Sequence, residues 1–295
     1  MRDYLKEFTD YLTSVKKSSS NTIESYVRDI KAFLSYADIN SLDILILSSD
    51  DLKDYLSSLE KKGKTHATLI RNLASIRCFY EFLIYTDSVM TNPTKNVKLK
   101  KTETKLPEIL TQKEIDILFS QPDVSTHRGC RDKAMLELLY ATGLRVTELI
   151  DLNIDDVNLQ INIVMCHSNK SERIVPIYKS AVKSIENYLL NVRSVLVNDK
   201  NEKALFVNMN GSRMTRQGFW KIIKAYAESG GINKTITPHT IRHSFATHLL
   251  ENGAGIKDIK EMLGHAGISS TQVYSQIIKQ KYENSYIKFH PKAGK

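Results

Sequence analysis

The sequence predicts a mainly α protein of two units, the second carrying a small antiparallel β-sheet. Three observations lead there. Apolar residues recur at helical spacing through the first hundred positions, with no strand-like alternation. Val97–Pro107 (VKLKKTETKLP) is polar, lysine-rich and aperiodic, as a linker would be. Two short apolar runs around a polar turn then interrupt an otherwise helical remainder. At 295 residues the chain is long for one domain and comfortable for two. We therefore expect an N-terminal helical domain at 1–97, a linker at 98–107 and a second, α-rich domain at 108–295.

Each element has a local reason. Tyr4, Leu5, Phe8, Tyr11, Leu12 and Val15 form one apolar stripe. Asn21 and Glu24 have the spacing of a capping pair and are expected to open a second helix with the stripe Ile23, Tyr26, Val27, Ile30, Phe33 and Leu34. A third helix carries Leu52, Tyr55, Leu56 and Leu59 and should stop before Gly63. A fourth starts at Thr65 and buries Leu69, Leu73, Ile76, Tyr80 and Leu83. Its other face holds Thr68, Arg71, Asn72 and Ser75, expected to point away from the apolar stripe. Such short donors with one arginine suit phosphate and base-edge contacts, and by themselves fit an ordinary solvated face equally well.

Beyond the linker, Thr111 and Glu114 form a capping box, and Gly143 sits where a helix should end. Ile161–Met165 and Ile174–Ile177 read as two strands around a polar turn, with Ala204–Val207 a possible third. From Thr215 the pattern is helical again, broken at Gly230-Gly231, Gly253 and Gly264-His265.

Composition narrows the class of function. The net charge is +9, and both parts are basic: 17 Lys+Arg against 14 Asp+Glu in residues 1–105, and 25 against 19 in 106–295. A polyanionic partner follows as an expectation, nucleic acid or an acidic membrane face. The three cysteines, Cys78, Cys130 and Cys166, are widely spaced, which argues against a disulfide framework or a zinc site. No apolar run has the length of a signal peptide or a membrane span, so a soluble cytoplasmic protein is expected.

Unusual chemistry concentrates in Gly143-Leu144-Arg145, in Pro238-His239-Thr240-Ile241-Arg242-His243, and in Leu263-Gly264-His265 through Tyr274. Attack on a phosphodiester without a metal needs arginines to clamp the phosphate and stabilise its developing charge. It also needs an activated nucleophile, because free tyrosine has a pKa near ~10, and a histidine to move its proton. Arg145, Arg242, His239, His265 and Tyr274 supply most of that list. Blander readings stay open on spacing alone. Arg145 could cap a helix end, Tyr274 is one of 14 tyrosines, and His239 with His243 has i, i+4 metal-pair spacing but no third ligand.

The motif strings go further. ATGLRVTEL (with Arg145), TPHTIRHSFATHLLENG (His239, Arg242) and LGHAGISSTQVY (His265, then Tyr274 nine residues later) resemble, in order and spacing, the Xer-type tyrosine recombinases of the phage integrase family. MTRQGFW is similar to the start of that family's DNA-contacting helix, and the resemblance covers essentially the whole chain. It implies a SAM-like core-binding domain followed by a catalytic domain, which together clamp duplex DNA. Arg145 and Arg242 would hold the scissile phosphate, with His265 adding a hydrogen bond. His239 would take the proton of Tyr274, which forms a 3′-phosphotyrosyl link without metal, ATP or other cofactor. DNA contacts are expected from Thr22, Lys64, Thr68, Arg71 and Asn72 in the first domain, and from Thr215, Arg216 and Gln217 in the second. The implied partners are two paired DNA sites, a homo- or hetero-tetramer with a related recombinase, and a septal DNA translocase. Dimer resolution is the expected role; a mobile-element integrase, a type IB topoisomerase and a weakened DNA-binding paralogue are its rivals.

One segment departs from the family. The catalytic lysine usually sits in a hairpin written G-K-G-x-K-x-R, where this chain has Cys166-His167-Ser168-Asn169-Lys170-Ser171-Glu172-Arg173. Aligned on Arg173, the lysine position is Ser168. Lys170 is the sole lysine of the turn: either the hairpin is re-registered and Lys170 reaches the leaving 5′-oxygen as its acid, the reading favoured because turn tips tolerate such shifts, or this step is impaired.

Overall fold

In the computed structural model of the chain, residues 3–99, 107–168, 171–197, 199 and 201–264 are described. The chain divides into two units, Met1–Thr104 and Lys105–Lys295, each with its own core.

Among the described residues the first unit holds four α-helices, α1 (Tyr4–Ser14), α2 (Ser20–Ile39), α3 (Ser49–Lys61) and α4 (His66–Tyr85), and a 3₁₀ turn, Pro93–Asn96. Their predicted stripes meet. Phe8, Leu12, Ile30, Phe33, Leu52, Tyr55, Ile76, Phe79, Phe82 and Leu83 are buried together, with the Phe8 and Phe79 rings edge to face at 5.3 Å. Helix α4 starts behind its Thr65 cap as read. Helix α2 is capped by Ser19, whose hydroxyl accepts from the Thr22 amide, and Asn21 lies inside its first turn. Leu99, expected in the linker, packs on this core beside Val97, because alternate apolar residues give an extended tail one face to bury.

In the second unit, α5 (Gln112–Ser120) opens with the Thr111–Glu114 capping box. It is followed by α6 (His127–Thr142), α7 (Val146–Asp151) and a 3₁₀ turn, Ile154–Asp156. Helix α6 is buried nearly all round and is the axle of this unit, which explains why no clean apolar stripe marks it. It ends at Gly143, φ +59°, in the left-handed conformation that glycine adopts without strain. The sheet is antiparallel in the order β1 (Val157–Asn158), β2 (Ile163–Ser168), β3 (Ser171–Pro176). The register pairs Val164 with Val175, Cys166 with Arg173 and His167 with Glu172. Its third strand is therefore β1. Ala204 and Val207 make only isolated bridges, because Ala204–Val207 runs as a fully buried segment through the core. Among the described residues the remaining helices are α8 (Lys179–Tyr188), continued by a π-helical turn (Leu189–Arg193) and α9 (Ser194–Leu196), then α10 (Arg216–Ser229), α11 (Pro238–Glu251) and α12 (Ile256–Leu263). The breaks at Gly230-Gly231, Gly253 and Gly264 fall where the sequence places them.

Candidate active site

Arg145, Arg173 and Arg242 come from three different elements and converge on two acceptors. Arg145 follows the left-handed Gly143 and stands at the start of α7. Arg242 lies in the second turn of α11, and Arg173 on the inner face of β3. The first acceptor is Glu148, its carboxylate buried to 6% exposure in α7. Arg173 binds it with two parallel hydrogen bonds of 2.9 Å, and Arg145 donates from its side chain at 3.1 Å and its backbone amide at 2.7 Å. Arg242 Nη1 lies 3.8 Å away. Burial by itself would push the Glu148 carboxyl up; the Arg173 hydrogen bonds, the Arg145 amide and both positive charges outweigh that and hold it below its ordinary value.

The second acceptor is the C-terminal end of α12, whose last carbonyls have no partner inside the helix. Arg173 Nε donates to Met262 O at 2.8 Å and Arg242 Nη2 to Leu263 O at 2.7 Å, while Arg145 Nη2 approaches Gly264 O at 3.5 Å. Arg242 also donates to Gly143 O at 2.6 Å, tying the end of α6 to the end of α12. Three guanidinium groups thus sit at the negative end of one helix dipole. The geometry needs a glycine at 264: its φ is +63°, and a Cβ there would lie 2.8 Å from Arg173 Nη1. The next residue in the chain is His265.

His239 is exposed near the start of α11. Lost hydration, then the charges of Arg242, Arg216 and Arg145, hold its imidazole below the ordinary histidine value, so it is neutral and basic near pH 7. Arg216, read only as a DNA contact, therefore belongs electrically to this site. Arg145 is 40% exposed and Arg242 only 4%, so a ligand arriving from solvent meets Arg145 first.

The sequence-derived residues divide as follows. Arg145 and Arg242 meet at the end of α12, and His239 lies within the field of both; Lys170, His265 and Tyr274 lie outside the described residues. Thr215, Arg216 and Gln217 are exposed at the start of α10, where Thr215 is the cap. Lys64 is exposed, and Thr22 and Thr68 are half-buried. The polar stripe of α4 is corrected. Asn72 and Ser75 are buried at 4% and 0% exposure, and Arg71 is bound to Asp29 at 2.8 and 2.9 Å. Asn72 spends its amide on Thr68 O, and its oxygen faces the Tyr55 hydroxyl. Asn72 and Ser75 are turned inward, Ser75 and the half-exposed Arg71 giving the buried Asp29 of α2 its hydroxyl and cationic partners, while Arg71 and Thr68 keep part of their surface. Reading single residues missed Glu148 and Arg173. A signal existed for the first: a glutamate at the third position of a helix that opens directly after a glycine stop. Among the described residues no group of histidine, cysteine and carboxylate side chains could hold a metal, and no helix is long and apolar enough to cross a membrane.

Comparison with known proteins completes the assignment. The Phage integrase family pattern matches residues 108–281, and the Phage integrase, N-terminal SAM-like domain pattern matches 5–86. Tyrosine recombinase XerD of Oceanobacillus iheyensis is 45% identical over 293 residues, covering 98% of each chain. Tyrosine recombinase XerD of Listeria innocua is 41% identical over 297 residues, covering 99% of this chain and 100% of its own. In fold, the chain matches the XerH site-specific recombinase bound to its difH substrate after cleavage, with a TM-score of 0.77 at 20% identity over 96% of this chain and 84% of that one. The chain belongs to the phage integrase family and, within it, to the tyrosine recombinases.

Proposed function

We propose that the chain cleaves and rejoins duplex DNA at paired sites through a 3′-phosphotyrosyl link to Tyr274, in an Xer-type role in chromosome or plasmid dimer resolution in the cytoplasm. The observation that carries this reading is the convergence of Arg145 and Arg242 on the end of α12, one residue before His265, with His239 at the start of α11 close enough for both charges to weaken it as a base. Arg145 and Arg242 hold the non-bridging phosphate oxygens, and His265 adds a hydrogen bond. His239, neutral at pH 7, takes the phenolic proton of Tyr274 and returns it on ligation. Lys170 protonates the leaving 5′-oxygen. The ester conserves the bond energy, so rejoining needs no ATP. Following the family, the enzyme works as a tetramer, of its own copies or with a related recombinase, and a septal DNA translocase is its further partner. Lys64, Thr68, Thr215, Arg216 and Gln217 contact DNA, with the half-buried Thr22 and Arg71 at the margin.

Tyr274→Phe tests the nucleophile. On a nicked suicide substrate the wild type gives a detergent-resistant protein–DNA adduct and the variant gives none, with DNA binding unchanged. An adduct from the variant would place the nucleophile elsewhere. Lys170→Ala tests the acid: cleavage slows by about 10²–10⁴-fold, and a sulfur in place of the bridging 5′-oxygen restores much of it. A wild-type rate from Lys170→Ala on ordinary DNA removes Lys170 from the reaction.

A further inference from the structure

The β2–β3 hairpin has two faces. On the inner one Cys166 pairs with Arg173, which carries the hairpin's contact with Glu148 and α12. On the outer one His167 pairs with Glu172. The His167 ring is held at both nitrogens: Nε2 lies 2.9 Å from Asp156 Oδ1, and Nδ1 lies 3.1 Å from Glu172 Oε1. A neutral imidazole has one donor and one acceptor nitrogen, and an ionised carboxylate only accepts. The two contacts therefore form together only when the ring carries both protons. Asp156 is itself fixed, since its other oxygen accepts the Asn153 amide at 2.7 Å. The Asn153 side chain in turn accepts from Arg213, whose guanidinium also binds the carbonyls of Ile150 and Leu152. A continuous polar chain thus runs from the end of α7, through the 154–156 turn, to the hairpin.

We infer that His167 is a positioning residue for DNA cleavage: as an imidazolium it cross-links the hairpin to the 154–156 turn and so keeps Arg173 on Glu148 and the end of α12. The inference rests on the cleavage reading above. The hydrogen bonds of Asp156 and then Glu172 raise the His167 pKa above its ordinary value. The sign follows. The brace is complete below the ordinary histidine value and loses one arm as pH rises through the raised one. The surrounding charges favour the same direction. Asp155 adjoins Asp156 on the turn, Glu148 of α7 is taken up by arginines, and Glu172 shares a cleft with Asp258 and Glu261 of α12. With His167 47% exposed and Glu172 71% exposed, the effect on rate is a modulation of about two- to five-fold.

Two measurements on the full chain test this. Histidine NMR titration should give His167 a pKa above ~6.5, and Asp156→Asn should lower it. Single-turnover cleavage of a nicked suicide substrate is then compared between wild type and His167→Gln, which, like neutral histidine, donates and accepts at once. The wild-type rate should exceed the variant's by about two- to five-fold on the acid side, and the ratio should fall towards one above the His167 pKa. His167→Lys, charged throughout, should hold the advantage at high pH. An ordinary or lowered His167 pKa, or a ratio that does not change with pH, overturns the inference. If wild type forms no adduct at any pH, the cleavage reading fails instead, and the titration alone decides whether the brace exists.

Discussion

At the scale of single residues, the site is an exercise in compensating one buried carboxylate. Glu148 is tolerable inside the protein because Arg173 meets it with two hydrogen bonds and Arg145 with two more. Removing one partner leaves a buried charge short of compensation. Arg173→Met should therefore destabilise the second unit by about 3–5 kcal/mol, and adding Glu148→Gln should recover part of the loss. Urea unfolding of the single and double variants measures both. His243 gives the pH counterpart. Burial, then His239 and Arg242, push its imidazole down to about 4, well below an unfolded value near ~6.5. The neutral form is favoured in the folded state, so stability is full above about pH 6.5 and is lost as pH falls towards 4. The loss amounts to at most about 3 kcal/mol. His243→Gln should flatten that window in urea midpoints taken from pH 7 to pH 4. A fall with unchanged slope assigns the acid sensitivity to other groups, Glu148 among them.

At the scale of elements, helix ends carry the site. Helix α6 stops at Gly143, whose carbonyl takes Arg242, and α12 stops at Gly264 with its last carbonyls taken by three arginines. Both stops need glycine for backbone reasons, and both also for space. A Cβ at Gly143 would lie 2.4 Å from the Phe245 ring and 2.9 Å from Leu263. Gly143→Ala therefore pays for a left-handed alanine, roughly 1–2 kcal/mol, and displaces Phe245 as well. A loss above that range in chemical denaturation, with cleavage reduced more than DNA binding, is the expected outcome. A loss of only ~1 kcal/mol with normal cleavage would mean that Phe245 yields without moving α12. Both glycine stops were legible in the sequence. The captured carbonyls were not, since a backbone oxygen has no letter in a sequence.

At the scale of the whole molecule, two units with separate cores both carry excess positive charge. If both engage the same duplex, DNA affinity should fall steeply with salt, by about one power of the salt concentration for each phosphate neutralised. Fluorescence anisotropy across salt concentrations gives the slope for the full chain and for residues 1–104 alone. The full chain should show the steeper slope and the tighter binding, and a slope near zero would remove phosphate contact as the basis of binding.

The sequence by itself determined the two-unit, mainly α architecture, the helix starts at Thr65 and Thr111, the stops at Gly143 and Gly264, and the family with its ordered motifs. These are local properties: apolar spacing, capping side chains and glycine punctuation act within a few residues and need no knowledge of the rest of the chain. Only the tertiary structure decided where the polar side chains went. Arg71 read as a solvent-facing member of a polar stripe and pairs with the buried Asp29, 42 positions away, while staying part-exposed. Arg173 looked like an alignment anchor and holds Glu148, 25 positions away, and Arg242 reaches Gly143 across 99. A hydrogen bond or ion pair is set by which partner the fold brings within about 3 Å, and periodicity along the chain carries no information about that distance.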